Sequence, residues 1–154
     1  MMRILVAIDG SEPSGAAVRE VRQRPWPAGT VVRVLSVARP LIPPGDLALV
    51  GAAYDQMSRE LAEEARKVVV RAADALQQAG LSVETQVREG DPRTEIAAEA
   101  ERWRADLVVL GSRGRTGVAR WLMGSVAEYV VRHAHCSVEV ARTPARPEVA
   151  PGVR

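Results

Sequence analysis

The chain has 154 residues, the length of one domain. A chain of this size typically buries about 70% of its extended-chain surface, so it needs neither disulfides nor a metal to hold a core. Hydrophobic residues at 47% and charged residues at 26% give the make-up of an ordinary globular protein, and 21 basic against 19 acidic residues leave a net charge of only +2. With 3% aromatics and no basic block, it lacks the charged face and the stacking platform of a nucleic-acid binder. Of the basic residues only Lys67 is a lysine. That bias reads either as the mark of a GC-rich genome or, for some positions, as selection for bidentate anion binding.

The single cysteine, Cys136, excludes an intrachain disulfide framework, and no CxxC or His/Cys cluster proposes zinc. Met1-Met2-Arg3 precedes only five apolar residues, short for a secretory signal, and no run reaches membrane-helix length. A cytoplasmic location with no membrane partner is expected.

Strands and helices alternate along the chain. Residues 3–8 read as a strand ending at Asp9, and Ser11 caps a helix over 12–24 that Pro25 and Pro27 end. Residues 30–37 read as a strand, and 39–50, with three prolines and Gly45, as a long loop. Tyr54, Met57, Leu61, Ala65, Val68, Ala72, Leu76 and Ala79 recur every three or four residues and predict one amphipathic helix over 52–79, with Glu63 and Lys67 as an i,i+4 pair and Gly80 as its stop. A strand at 81–88 is followed by Asp91-Pro92, an N-cap and a first-turn proline, and by a helix with Ile96, Ala100 and Trp103 on one face. Residues 106–110 predict a strand, 111–124 a glycine-rich segment, 125–133 a helix and 137–141 a last strand. The tail over 143–154, with Pro144, Pro147 and Pro151, reads as disordered beyond a domain of 1–142.

This alternation predicts an α/β fold, a three-layer sandwich around a five-stranded parallel sheet. The strands at 3–8 and 106–110 are almost continuously apolar, as central strands are. Those at 81–88 and 137–141 alternate, as edge strands do. The order 3-2-1-4-5 satisfies both, and its switch point lies between the first and fourth strands, where such folds bind ligands. Asp9 and Gly111 stand at those strand ends.

Gly111, Gly114 and Gly117 recur every third residue, and Gly124-Ser125 opens a helix with the capping-box spacing Ser125-x-x-Glu128. Glycines turn N–H groups inward, and a helix start offers unpaired N–H groups near Val126 and Ala127. No acidic residue falls between Leu107 and Ala127, while Arg113, Arg115 and Arg120 do. These features point to phosphate; a surface turn before a capped helix is the plainer alternative. His133 and His135 flank a helix C-terminus, where cations are favoured, and Cys136 reads as a small buried hydrophobe.

The spacing Gly111-x2-Gly114-x9-Gly124-Ser125, with Ile4-Leu5-Val6-Ala7-Ile8-Asp9-Gly10-Ser11 before it, resembles the universal stress protein family in its ATP-binding, UspA-like form. The resemblance spans nearly the whole chain and implies an adenine nucleotide alpha hydrolase-like, Rossmann-like fold. It implies that Asp9 meets the ribose and adenine side, that Ala7 adjoins it, and that Val37 contacts adenine through its backbone. Gly111, Ser112, Arg113, Gly114, Arg115, Thr116 and Gly117 would then surround the phosphates, and Gly124, Ser125 and Val126 would complete the cradle. Hydroxyls and backbone N–H groups would dominate this site, since no GxxxxGK[ST] lysine loop is present. The implied cofactor is ATP, with AMP or a cyclic nucleotide as alternatives, and Mg²⁺ would arrive with the nucleotide rather than on a protein cage of its own.

The expected role is a nucleotide-dependent regulatory module in stress response, with a homodimer and a further protein partner. Slow ATP hydrolysis and protein interaction without turnover are the alternatives; Asp9 is the only obvious carboxylate near the site. Two positions depart from the family pattern: Ser137 stands where proline is common, and Glu139 where an aliphatic residue is usual in the strand through which members often dimerise.

Overall fold

A computed structural model of the chain describes residues 1–40, 51–113 and 123–143. Five strands, β1 (Arg3–Ala7), β2 (Val31–Ala38), β3 (Ser82–Glu89), β4 (Leu107–Gly111) and β5 (Ser137–Ala141), alternate with four helices, α1 (Glu12–Gln23), α2 (Gly51–Gln77), α3 (Pro92–Trp103) and α4 (Ser125–His133). Every expected element is present to within two residues at each end. The strands form one parallel sheet in the order β3-β2-β1-β4-β5.

The pleat sorts the core into two layers. Ile4, Val6 and Ile8 of the central strand region, with Val32, Val34 and Val109, pack beneath Ala16, Ala17 and Val21 of α1 and Val68, Val69, Ala72 and Leu76 of α2. Leu5, Ala7, Leu35, Val108 and Leu110 face the other way, onto Ile96 and Ala100 of α3 and Ala127 and Val130 of α4. Small alanines on the helices let them approach the valine-rich strands closely. This explains how a chain without phenylalanine fills its core.

Helix ends follow local chemistry. The Ser11 hydroxyl accepts the Ser14 N–H at 3.3 Å, and Asp91 Oδ1 accepts the Arg93 N–H at 2.9 Å; both are N-caps as expected. After α2, the Leu81 N–H donates to the Leu76 carbonyl and the Gly80 N–H to that of Gln77, with Gly80 at φ +86°. This is a Schellman ending that needs a left-handed residue. The same two bonds end α3, from Ala105 to Ala100 and from Arg104 to Glu101, but there an arginine holds φ +54°.

On α2 the charge pairing differs from expectation. Lys67 pairs with Glu64 at 3.1 Å and Glu63 with Arg66 at 3.2 Å, both at i,i+3 rather than Glu63 with Lys67. Among the described residues, no helix is long and apolar enough to cross a membrane.

Candidate functional site

α1, which links β1 to β2, packs on one face of the sheet, and α4, which links β4 to β5, on the other. The chain thus departs in opposite directions from the adjacent ends of β1 and β4, where Ala7 lies opposite Leu110. Doubly wound sheets form their ligand crevice at such a reversal.

Its first wall follows β1. The Ile8 N–H donates to the Leu35 carbonyl at 2.9 Å and prolongs the strand pairing. Asp9 Oδ1 then accepts the Ser11 N–H at 2.9 Å, and Gly10 takes φ +81°. One carboxylate oxygen therefore fixes the turn into α1.

The second wall follows β4. A Cβ on Gly111 would lie 2.5 Å from the Pro13 carbonyl carbon and oxygen, so only glycine lets the strand end pass beneath the first turn of α1. The Ser112 N–H donates to Ala141 at 2.9 Å, and the Gly124 N–H to the Ser112 carbonyl at 2.7 Å. Ser112 and Gly124 thus close the neck of the glycine-rich segment and hold its two ends together beside β4. Arg113 leaves from this neck. Gly114, Arg115, Thr116 and Gly117 lie outside the described residues, as do Arg120 and the tail from Pro144.

The start of α4 corrects one expectation. Its N-cap is Gly124, in an extended conformation, and no side chain caps it; Ser125 is already the first helical residue. The Ser125–Glu128 capping box does not form, because Glu128 turns to Arg132 at 2.8 Å. The N–H groups of Ser125, Val126 and Ala127 therefore point out of the helix with no side-chain cap, whereas α1 and α3 are both closed by one. Positive dipole, N–H donors and absence of a carboxylate cap make this end fit for an anion.

The apolar candidates also gather. Ala7 is buried, and Val37 and Val126 pack against its layer, so all three line the α3/α4 side at the carboxyl ends of the strands. The set Ala7, Asp9, Val37, Gly111, Ser112, Arg113, Gly124, Ser125 and Val126 is drawn from one end of the sheet. Two surface cavities of about 490 and 450 Å³ lie elsewhere, along α2 and β3, and none of these residues lines them.

Side chains with familiar chemistry are otherwise occupied. His133 stacks on Tyr129 at 3.9 Å, with its Nδ1 2.8 Å from the Tyr129 carbonyl oxygen. Burial pushes the Cys136 thiol above its usual value, which disfavours a reactive thiolate. No group of metal-ligating side chains occurs among the described residues.

One charged cluster escaped the linear reading. Glu99 of α3 is 1% exposed and accepts hydrogen bonds from Arg33 at 2.8 Å, from Arg88 at 2.9 and 3.1 Å and from Arg102 at 3.0 and 3.2 Å. Burial pushes its carboxyl up, but the bonds from Arg102, Arg33 and Arg88 outweigh this and hold it below the ordinary 4.5. Glu84 and Glu95 pair with the same arginines, so the cluster is balanced and saturated. The visible hint is arginine at alternate-facing positions of two strands beside a glutamate on an otherwise apolar helix face.

Comparison with known proteins agrees with this architecture. The model of the universal stress protein family matches residues 1–142. Universal stress protein MJ0531 of Methanocaldococcus jannaschii is 38% identical over 91 residues, a match covering 59% of this chain and 54% of that protein. The putative universal stress protein SH1215 of Staphylococcus haemolyticus is 33% identical over 150 residues, 94% of this chain and 87% of its own. Hypothetical protein MJ0577 superposes with a TM-score of 0.82 at 26% identity, covering 94% of this chain and 97% of that one. The same fold is seen at 18% identity and TM-score 0.66 in an Arabidopsis thaliana family member with AMP bound, and at 23% and 0.63 in an Archaeoglobus fulgidus universal stress protein in complex with dAMP. These cover 94% and 92% of this chain and 94% and 98% of the respective structures. The family model over residues 1–142 and the sequence matches, in agreement with the sheet order, place this chain in the universal stress protein family.

Proposed function

We propose that the protein is a nucleotide-dependent regulatory module that binds an adenine nucleotide, ATP in the first place, in the crevice between β1 and β4. The observation that carries this is the uncapped start of α4, held against the Ser112 neck at the switch point. In this reading Asp9 and the backbone of Val37 meet the ribose and adenine, while Ala7 and Val126 supply the apolar floor. Ser112, Arg113 and the N–H groups of Ser125 and Val126 face the phosphates, together with Gly111, Gly114, Arg115, Thr116, Gly117 and Gly124. AMP and dAMP in two structures of this fold support an adenine ligand. Mg²⁺ would come with the nucleotide, whose phosphates supply its oxygens.

Binding rather than rapid turnover fits the residues. Asp9 is engaged in the turn before α1, and both histidines lie at the opposite end of α4 from the site. The reading further takes the protein as a cytoplasmic homodimer whose nucleotide-binding domain is 1–142, with a partner protein sensing occupancy.

The test is to denature the purified protein and identify any nucleotide released, then to follow its melting temperature with ATP, AMP and adenosine. A ligand present at one hundred times its Kd adds about 2.7 kcal/mol and must raise the melting temperature. No released nucleotide and no shift with any of the three would refute the reading.

A further inference from the structure

The cavity of about 490 Å³ lies where β2 and β3 end, against residues 54–66 of α2. That volume is in the range that takes a small molecule. Successive residues of a strand point to opposite faces. Val37 packs in the α3/α4 layer, so Ala38, which lines the cavity with Ala62 of α2, faces the other way. The cavity is thus on the opposite side of β2 from the Val37 layer.

Both of its walls carry both signs of charge. On the strand side stand Arg39, one residue past β2, and Glu89, the last residue of β3; the Gly90 N–H donates to the Ala38 carbonyl at 3.0 Å and holds these two strand ends together. On the helix side stand Asp55 and Arg59, with the hydroxyls of Tyr54 and Ser58 beside them. Four residues apart on a helix is a common spacing for an ion pair, and one turn further on Glu63 and Arg66 do pair, at 3.2 Å. Yet Asp55, Arg59, Arg39 and Glu89 make no hydrogen bond or ion pair among the described residues. The charge of Arg39 reaches Asp91, but Arg93 already holds that carboxylate, at 2.6 Å. The mixture of signs selects the ligand. A polyanion meets Asp55 or Glu89 on whichever wall it touches, and a plain cation meets an arginine. A molecule with both charges satisfies all four groups, and guanidinium suits carboxylate and phosphate alike.

We propose that this cavity is a second binding site, for a small zwitterion whose carboxylate or phosphate is held by Arg39 and Arg59 and whose ammonium is held by Asp55 and Glu89. The four charged side chains are exposed, so each contact is screened by salt and the affinity is modest. The proposal does not rest on nucleotide binding, since none of these residues belongs to the crevice between β1 and β4.

Amide NMR titration of the full chain with phosphoethanolamine and with glycylglycine tests it, with inorganic phosphate, acetate and ethanolamine as single-charge counterparts. At millimolar concentration a zwitterion is expected to shift the amides of Arg39, Ser58 and Arg59 more than its counterparts do. The zwitterion that binds more tightly identifies the anionic head as phosphate or carboxylate. Arg59→Ala and Asp55→Asn, both at exposed helical positions, should each weaken the zwitterion about threefold to fivefold. Asp55→Asn should at the same time strengthen inorganic phosphate at these amides, an opposite response that a merely structural residue would not give. No shift at the cavity, counterparts that match the zwitterions, indifference to both substitutions, or shifts confined to Ser112 and Val126 would overturn the proposal. The nucleotide reading survives any of these results.

Discussion

Arg24, one residue past α1, grips Glu139 in the middle of β5 with both terminal guanidinium nitrogens, Nη1 and Nη2, at 2.6 and 2.7 Å. The same guanidinium reaches Glu20 at 3.1 Å and lies 5.8 Å from the centre of the Trp26 ring. Hydrogen bonding to Glu139 raises the arginine above its ordinary value and outweighs the opposing effect of burial. Glu139, which the sequence reading marks as a departure from the resembled pattern, thus has a local role: it ties β5 to the end of α1. Arg24 is 43% exposed, so the link has the modest strength of a surface pair. A double-mutant cycle on Arg24→Ala and Glu139→Ala should give a coupling of about 0.5–1 kcal/mol, smaller in high salt. Zero coupling in urea denaturation would remove the tie.

The Glu99 cluster has larger consequences. Replacing this buried carboxylate leaves Arg33, Arg88 and Arg102 facing a neutral group. Arg88 and Arg102 can turn toward water, so the loss should fall below that of a fully buried pair, at about 2–3 kcal/mol for Glu99→Gln by urea denaturation. Arg33 also sits 4.5 Å from the Trp103 ring centre, and the tryptophan emission should shift with the substitution.

Acid should unfold the protein partly through the same group. Glu99 is held below 4.5, and Asp91, through hydrogen bonds from Arg93, at about 2 against an ordinary 3.8. A carboxyl with a lowered folded-state pKa contributes stability above its unfolded value and loses it as the pH falls. The loss should begin near pH 4.5 for Glu99, with the Asp91 share disappearing between 3.8 and about 2. Glu99→Gln should therefore flatten the acid limb of a stability–pH curve; an unchanged limb would assign it to other carboxylates.

Period and punctuation made most of the fold legible in the sequence. The continuous apolar runs of β1 and β4 and the alternation of β3 and β5 were enough for the strand order, because burial on two faces or one leaves different patterns. Ser11 and Asp91 announced their helices, since a short polar side chain before a proline-bearing first turn has little other use. What stayed hidden depends on register or on small rotations. Glu99, Arg33 and Arg88 meet only once β2, β3 and α3 are stacked. Lys67 had acidic neighbours at both three and four residues, and spacing does not choose between them. At the start of α4 the spacing reads Ser125 as the cap, whereas the N-cap is Gly124, whose N–H bonds the Ser112 carbonyl. That shift of one residue changes the site, because it removes the hydroxyl that a Ser125 cap would have turned onto the N–H groups of the first turn.

Gly111 carries a steric prediction that needs no ligand. A Cβ there would press on the Pro13 backbone at 2.5 Å, and backbone cannot move aside as a flexible side chain would. Gly111→Ala should cost about 2 kcal/mol and pry α1 from β4. Gly51→Ala, where nothing lies within 4 Å of the added atom, should stay within about 0.5 kcal/mol. Equal melting temperatures for the two variants would contradict the close approach.

The phosphate role can be separated from folding by removing one donor at a time. Ser125 occupies the first helical position of α4, where proline fits, and Gly124 at φ −60° and ψ 153° has the extended conformation that a residue before proline prefers. Ser125→Pro should therefore leave α4 and the melting temperature nearly intact while deleting one N–H that faces the crevice. If that N–H binds phosphate, ATP affinity should fall about tenfold, the equivalent of about 1.4 kcal/mol, and adenosine affinity should not change. Ser125→Ala keeps the N–H and should stay close to the parent chain. Arg113→Ala, at the neck closed by Ser112 and Gly124, should likewise weaken ATP more than adenosine. Equal losses for both ligands, in either Ser125→Pro or Arg113→Ala, would place that residue away from the phosphates.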